Sequence, residues 1–159
     1  MQPGVDRTHM KLITIRQAVL ADLDDLAALF DHYRMFQGQA SDPTAARAFL
    51  QQRFDHGEAV VYMACEGPAA IGFAQLFPSW SSVALARVFI LNDLFVHPSG
   101  RRTGVASLLL AAVERHAWSL GAVRVTLNVA RDNLPGQALY AAQGWTQDAQ
   151  FHMFHRFAG

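Results

Sequence analysis

The sequence predicts an α/β fold of the α+β type. It is a mixed, mostly antiparallel sheet of six to seven strands, with a central parallel, splayed pair and about four flanking helices. Three observations carry this. Apolar residues recur with period two in some runs and at three- and four-residue spacing in others, and the runs follow the order β-α-α-β-β-β-α-β-α-β-β. Hairpin-length turns join neighbouring strand runs in the first half of the chain. A long helical run links residues 91–96 to residues 123–129, and a link of that length returns a strand parallel by a right-handed crossover.

Residues 1–10 read as a disordered lead-in, and residues 11–159 as one domain, since no repeat, linker or low-complexity tract divides them. Residues 11–18 (K-L-I-T-I-R-Q-A) are rich in β-branched side chains and make the first strand. Over residues 21–35 the period changes: Leu23, Leu26, Leu29, Phe30 and Tyr33 form one stripe, with Asp22, Asp24 and Asp25 at the positive end of the helix. Ser41, Asp42 and Pro43 signal a second helix over residues 45–54, ending near His56-Gly57. Residues 59–66 and 70–77 flank Gly67-Pro68 as an antiparallel hairpin, followed by a loop at 78–82 that carries Trp80.

Residues 84–96 are the longest strand candidate, interrupted by Asn92-Asp93. Two polar residues there fit either a bulge or a solvated strand edge. Residues 105–120 form the strongest helix, with Leu108, Leu109, Ala112, Val113, His116 and Leu120 inward and Gly121 beyond its end. Residues 123–129 follow as a strand. Asn133 caps a helix that runs to Gln143 and stops at Gly144, and residues 145–146 and 151–157 complete the sheet.

Composition narrows the class of function. Lysine plus arginine equal aspartate plus glutamate, so net charge is zero and neither nucleic acid nor an anionic membrane is expected as partner. No apolar stretch reaches the roughly 18 residues of a membrane span. The N-terminus lacks the basic-then-apolar pattern of a secretory signal. Cys65 is the only cysteine and lies in an apolar run, which suits a buried thiol in the reducing cytoplasm. No metal site is expected.

The chemistry concentrates in L-N-D-L-F-V-H-P-S-G-R-R-T-G-V-A, residues 91–106. A strand feeds a glycine-bearing loop that opens a helix, and the first helical turn has N–H groups with no intrahelical partner. Gly104 admits an anion to the backbone, and Arg101 and Arg102 add forked donors. Neither G-x-x-x-x-G-K-[ST] nor G-x-G-x-x-G fits, because Val105 stands where the lysine would be and Gly100 and Gly104 are wrongly spaced. The loop therefore suits another phosphate-bearing cofactor.

These residues resemble the GNAT superfamily of acyl-CoA-dependent N-acetyltransferases. Arg101, Gly104 and Ala106 match its pyrophosphate motif [QR]-x-x-G-x-[GA], after the L-F-V-H-P typical of its fourth strand. Asn133, Gly136, Leu139, Tyr140, Gly144 and Trp145 match a second signature, N-x-x-[AG]-x-x-L-Y followed by G-[FWY]. The resemblance spans residues 11–157 and implies acetyl-CoA as co-substrate. It implies that backbone groups of Leu94, Phe95 and Val96 pair with the pantetheine arm. It also implies that N–H groups across Arg101, Arg102, Thr103, Gly104, Val105, Ala106 and Ser107 hold the pyrophosphate, and that Asn133 touches the pantetheine side.

Tyr140 is implied as the acid for the departing thiolate, a step that a positioned phenol can perform. Phe95 or Val96 N–H would meet the oxyanion. Polyamine acetyltransferases of the superfamily carry Glu where Asn92 stands, so the base is left among Asp93, His97 and solvent. Phe30, Tyr33 and Phe36 lie in a run similar to the Y-x-x-F of small-amine members. The acceptor pocket is expected at Tyr33, Phe36, Trp80 and Asn92, while Asp31 either attracts a cationic amine or is merely solvated. The expected activity is acetyl transfer to a primary amine of a small molecule such as a polyamine or amino acid, in a homodimer. A protein or peptide acetyltransferase and a non-catalytic CoA-binding sensor are the alternatives.

Overall fold

The computed structural model describes residues 12–101 and 103–159; the lead-in at 1–10, Lys11 and Arg102 lie outside the described residues. The chain divides into two compact units, one ending at Asn128 and the other Val129–Gly159. The first unit holds β1 (Ile13–Gln17), α1 (Leu23–Phe36), α2 (Pro43–Asp55), β2 (Val60–Glu66), β3 (Ala69–Ser81), β4 (Ala86–Val96), α3 (Val105–Ser119) and β5 (Arg124–Thr126). The second holds α4 (Leu134–Ala142).

One five-stranded sheet runs in the order β1-β2-β3-β4-β5, antiparallel except for the β4–β5 pair. The parallel pair therefore lies at the edge of the sheet and not at its centre. β5 pairs through only Arg124, Val125 and Thr126, against Val88, Phe89 and Ile90. No strand forms at 145–146 or 151–157, so the expected six to seven strands become five. A strand needs a neighbour for its N–H and C=O groups. Asp148 instead turns the chain, its carboxylate accepting from the N–H of Gln150 at 2.7 Å and of Phe151 at 3.2 Å.

One core packs Leu26, Leu29, Phe30, Leu50, Val61, Met63, Phe73 and Phe95 together, from α1, α2 and the sheet. Burying each such side chain contributes roughly 1.5–3 kcal/mol. Cys65 is buried at its margin as a free thiol. Buried residues of α3 are Val105, Leu109, Leu110, Ala112, Val113 and Ala117; Leu108 and Leu120, expected inside, are 44% and 51% exposed. The stripe is rotated because it starts at Val105, one turn before Leu109.

Trp80 belongs to a strand and not to a loop. β3 continues through Pro78, which pairs with Phe89 of β4. Proline fits because β2 pairs with β3 only as far as Leu76, so the side on which Pro78 lacks an N–H has no strand to bond. The β3–β4 turn is the short loop at 82–85, where Leu85 takes φ +51°.

Candidate functional site

β4 is where the sequence pattern and the geometry meet. Its register against β3 runs Gln75↔Asp93 and then Leu76↔Leu91, so Asn92 is an extra residue and the interruption is a bulge. Asp93 is turned inward and buried, while Asn92 is exposed. The Asn92 amide donates to both carboxylate oxygens of Asp93 at 3.1 Å. Gln75, fully buried on β3, donates to Asp93 Oδ2 at 2.7 Å.

Beyond the bulge β4 has no β5 partner, since that ladder ends at Ile90 and Thr126. His97 N–H donates to Ile71 C=O at 2.7 Å. By the two-residue alternation of a strand, Phe95 turns its backbone groups to β3 in the same way. Leu94 and Val96 turn theirs toward the open side. The buried Phe95 ring packs 5.9 Å from Tyr33 and 6.1 Å from Phe36.

The strand then enters a single 3₁₀ turn at Pro98–Gly100. His97 caps it, Nδ1 accepting from the Ser99 N–H at 3.2 Å, and its ring lies edge-on to His32 at 5.4 Å. Thr103 Oγ1 donates to Gly100 C=O at 2.6 Å, closing the loop. Gly104 is the N-cap of α3 at φ +76°, a left-handed conformation that favours glycine. Among the described residues, its chain neighbours aside, no atom lies within 4 Å of where its Cβ would be. The first α3 hydrogen bond runs from Leu108 N–H to Gly104 C=O at 3.1 Å, so the N–H groups of Val105 and Ala106 precede the helix ladder. Arg101 turns back, Nε donating to Val96 C=O at 3.1 Å and the guanidinium 5.2 Å above the Phe36 ring. A positively polarised helix start beside an unpaired strand edge fits a ligand that joins a phosphate group to an amide-bearing arm.

Residues 24–145 match the Acetyltransferase (GNAT) family. The chain belongs to the GNAT family. It is 42% identical over 139 residues to the uncharacterized N-acetyltransferase YhfO of Bacillus subtilis, covering 87% of this chain and 93% of that one. A crystal structure of a probable acetyltransferase superposes with a TM-score of 0.87 at 38% identity, over 92% of this chain and 98% of the other. A shorter match, 34% identical over 73 residues, is to the L-ornithine N5-acetyltransferase NATA1 of Arabidopsis thaliana, covering 46% of this chain and 32% of that one. The protein is thus an acyl-CoA-dependent N-acetyltransferase.

The second GNAT signature lies in the second unit. Asn133 caps α4, its side-chain oxygen accepting from Gly136 N–H at 3.0 Å. A Cβ on Gly136 would lie 2.7 Å from Asn133 Nδ2, so the capping amide sits close over this position. Tyr140 is half-buried with its ring 6.0 Å from that of Trp145, and burial raises its pKa above the usual tyrosine value.

The remaining expected positions differ in kind. Tyr33 is half-buried among Phe30, Phe73 and Phe95, whereas Phe36 is 65% exposed. Trp80 is 68% exposed under the Arg87 guanidinium, 4.5 Å away. Asp31 is not solvated: it is buried, accepting from Ser41 Oγ at 2.6 Å and Asp42 N–H at 2.8 Å. Among the described residues no cluster of three His, Cys, Asp or Glu side chains could hold a metal ion. Sequence reasoning missed Gln75; the one available signal was an amide within A-I-G-F-A-Q-L-F.

Proposed function

We propose that this GNAT enzyme moves the acetyl group of acetyl-CoA to a primary amine of a small molecule, a polyamine or amino acid, in the cytoplasm and by direct attack within a ternary complex. The bulge at Asn92 carries the reading: it buries one carboxylate on β4 just before the strand edge opens toward the Gly104 helix start. The thioester supplies the activated acyl group. Leu94 and Val96 backbone groups align the amide-bearing arm, without Phe95, whose backbone groups turn to β3; of the two N–H groups expected at the oxyanion, that of Val96 faces the charge that develops on the carbonyl oxygen. N–H groups from Gly104 to Ser107, with the adjoining Arg101, Arg102 and Thr103, hold the diphosphate. Asn133 orders the start of α4 and contacts the pantetheine side.

Asp93 takes the ammonium proton, and Tyr140 gives a proton to the departing sulfur. Tyr33, Phe36, Trp80 and Asn92 line the acceptor side. Similarity to an ornithine acetyltransferase supports a small cationic acceptor. The exposed Phe151, Phe154 and Phe157 support a homodimer that covers them; light scattering of Phe154→Asp, expected to be monomeric, tests it.

The decisive measurement is free-thiol release from acetyl-CoA with 1,4-diaminobutane, spermidine, L-ornithine, an aminoglycoside and a tetrapeptide. Turnover of a diamine or amino acid is expected. Turnover of the peptide alone would move the assignment to a protein acetyltransferase, and CoA binding without any turnover would move it to a sensor.

A further inference from the structure

The Gln75 side chain is costly where it stands. The residue is fully buried between Ala74 and Leu76, both equally buried. Its Nε2 donates to Asp93 at 2.7 Å, but its Oε1 has no hydrogen-bond partner among the described residues. An unsatisfied buried carbonyl lowers stability, and an apolar side chain of the same length would avoid that loss. Against that cost stands one contact, the hydrogen bond that Gln75 gives the buried Asp93 carboxylate.

We propose that Gln75 is a positioning residue for acetyl transfer, holding the carboxylate of Asp93 in the orientation that receives the acceptor's proton. This rests on the reading of Asp93 as proton acceptor. The bulge makes the geometry: with Asn92 extruded, Gln75 and Asp93 stand opposite each other across the ladder. Asn92 approaches both carboxylate oxygens from β4 and Gln75 approaches Oδ2 from β3, so amides from two strands fix the rotation of the group. A carboxylate offers about four acceptor positions, which leaves one for the substrate. The ammonium N–H bond breaks, its electron pair stays on nitrogen for attack on the thioester carbon, and the proton forms an O–H bond on Asp93. Gln75 neither gains nor loses a proton.

The test compares Gln75→Met, Asp93→Asn and the double variant by thermal unfolding and by thiol release from acetyl-CoA. The probe is 1,4-diaminobutane, or L-ornithine should the first be inert. Gln75→Met removes a donor from a buried carboxylate, so it is expected to lower the Tm modestly while leaving KM for acetyl-CoA unchanged. Its kcat should fall roughly ten- to a hundredfold, the worth of one hydrogen bond to a charged group. In the Asp93→Asn background it should lower kcat no further. Should Gln75→Met fail to fold, Gln75→Leu, also apolar and without a donor, is read in the same way.

A lowered Tm with wild-type kcat per folded molecule would overturn the positioning role, as would an equal loss in the Asp93→Asn background. Wild-type turnover by Asp93→Asn would instead remove Asp93 as proton acceptor, and this inference with it. Inertness of both amines on the wild type would remove the small-amine reading beneath both.

Discussion

Tyr140 and Asp93 stand in different electrostatic situations. Burial pushes the Tyr140 phenol above 10, so it stays protonated across the neutral range and is available as an acid. Tyr140→Phe should lower kcat by about 10²–10⁴, the usual range for losing a general acid, while the Kd for acetyl-CoA measured by calorimetry stays within about twofold. Unchanged turnover would remove it from the chemistry. Asp93 drew notice in the sequence because a carboxylate inside an apolar strand run needs a reason. Gln75, in an equally apolar run, acquires meaning only from the cross-strand register, which no local pattern encodes. Asp31 is the opposite case: its partners Ser41 and Asp42 lie ten and eleven residues away, so a residue that resembled a solvated helix position caps the next element.

Elements were legible wherever periodicity alone decides them. α1, α2 and α3 lie where the stripes and caps predict, down to Asp42 accepting from Ala45 N–H at 3.0 Å and Gly121 at φ +74°. Strand ends were not, because a ladder stops where its neighbour stops. β3 runs four residues past the expected turn, and the Phe-rich tail has apolar strand composition but forms no strand. Two loop positions make predictions of opposite sign. Gly104→Ala places a Cβ at φ +76°, which should cost about 1–2 kcal/mol in chemical unfolding and weaken CoA binding at the helix start. Leu85 already suffers that strain at φ +51° and is 91% exposed. Leu85→Asn, a residue that tolerates the left-handed region, should stabilise by about 0.5–1 kcal/mol and leave kcat untouched.

At the scale of the whole molecule, titrating groups confine stability to a window. Asp22, bound through two 2.6 Å contacts to Arg16, has its pKa lowered to about 2 from 3.8, and the Ser41 hydroxyl lowers that of Asp31. Both favour folding above the unfolded carboxylate value and lose that contribution as pH falls through the folded value, with the exposed Arg16–Asp22 pair also weakened by salt. Tyr62 and Tyr140 are raised by burial, so above pH 10 the unfolded chain releases protons that the folded one keeps, and stability declines. His116 sets the nearer limit. It lies between Tyr62, whose hydroxyl is 3.1 Å from Nδ1, and Phe89, and its Nε2 is buried with no partner among the described residues. Burial lowers its pKa below 6.5, so below that pH the unfolded chain binds a proton that the folded one resists. Tm should therefore be flat from about pH 7 to 8 and fall between pH 6.5 and 5. His116→Gln keeps an acceptor for Tyr62 but cannot be protonated, and should remove the slope between pH 6.5 and 5 while leaving the acid limb below 4. A slope unchanged by the substitution would assign that proton uptake to another histidine.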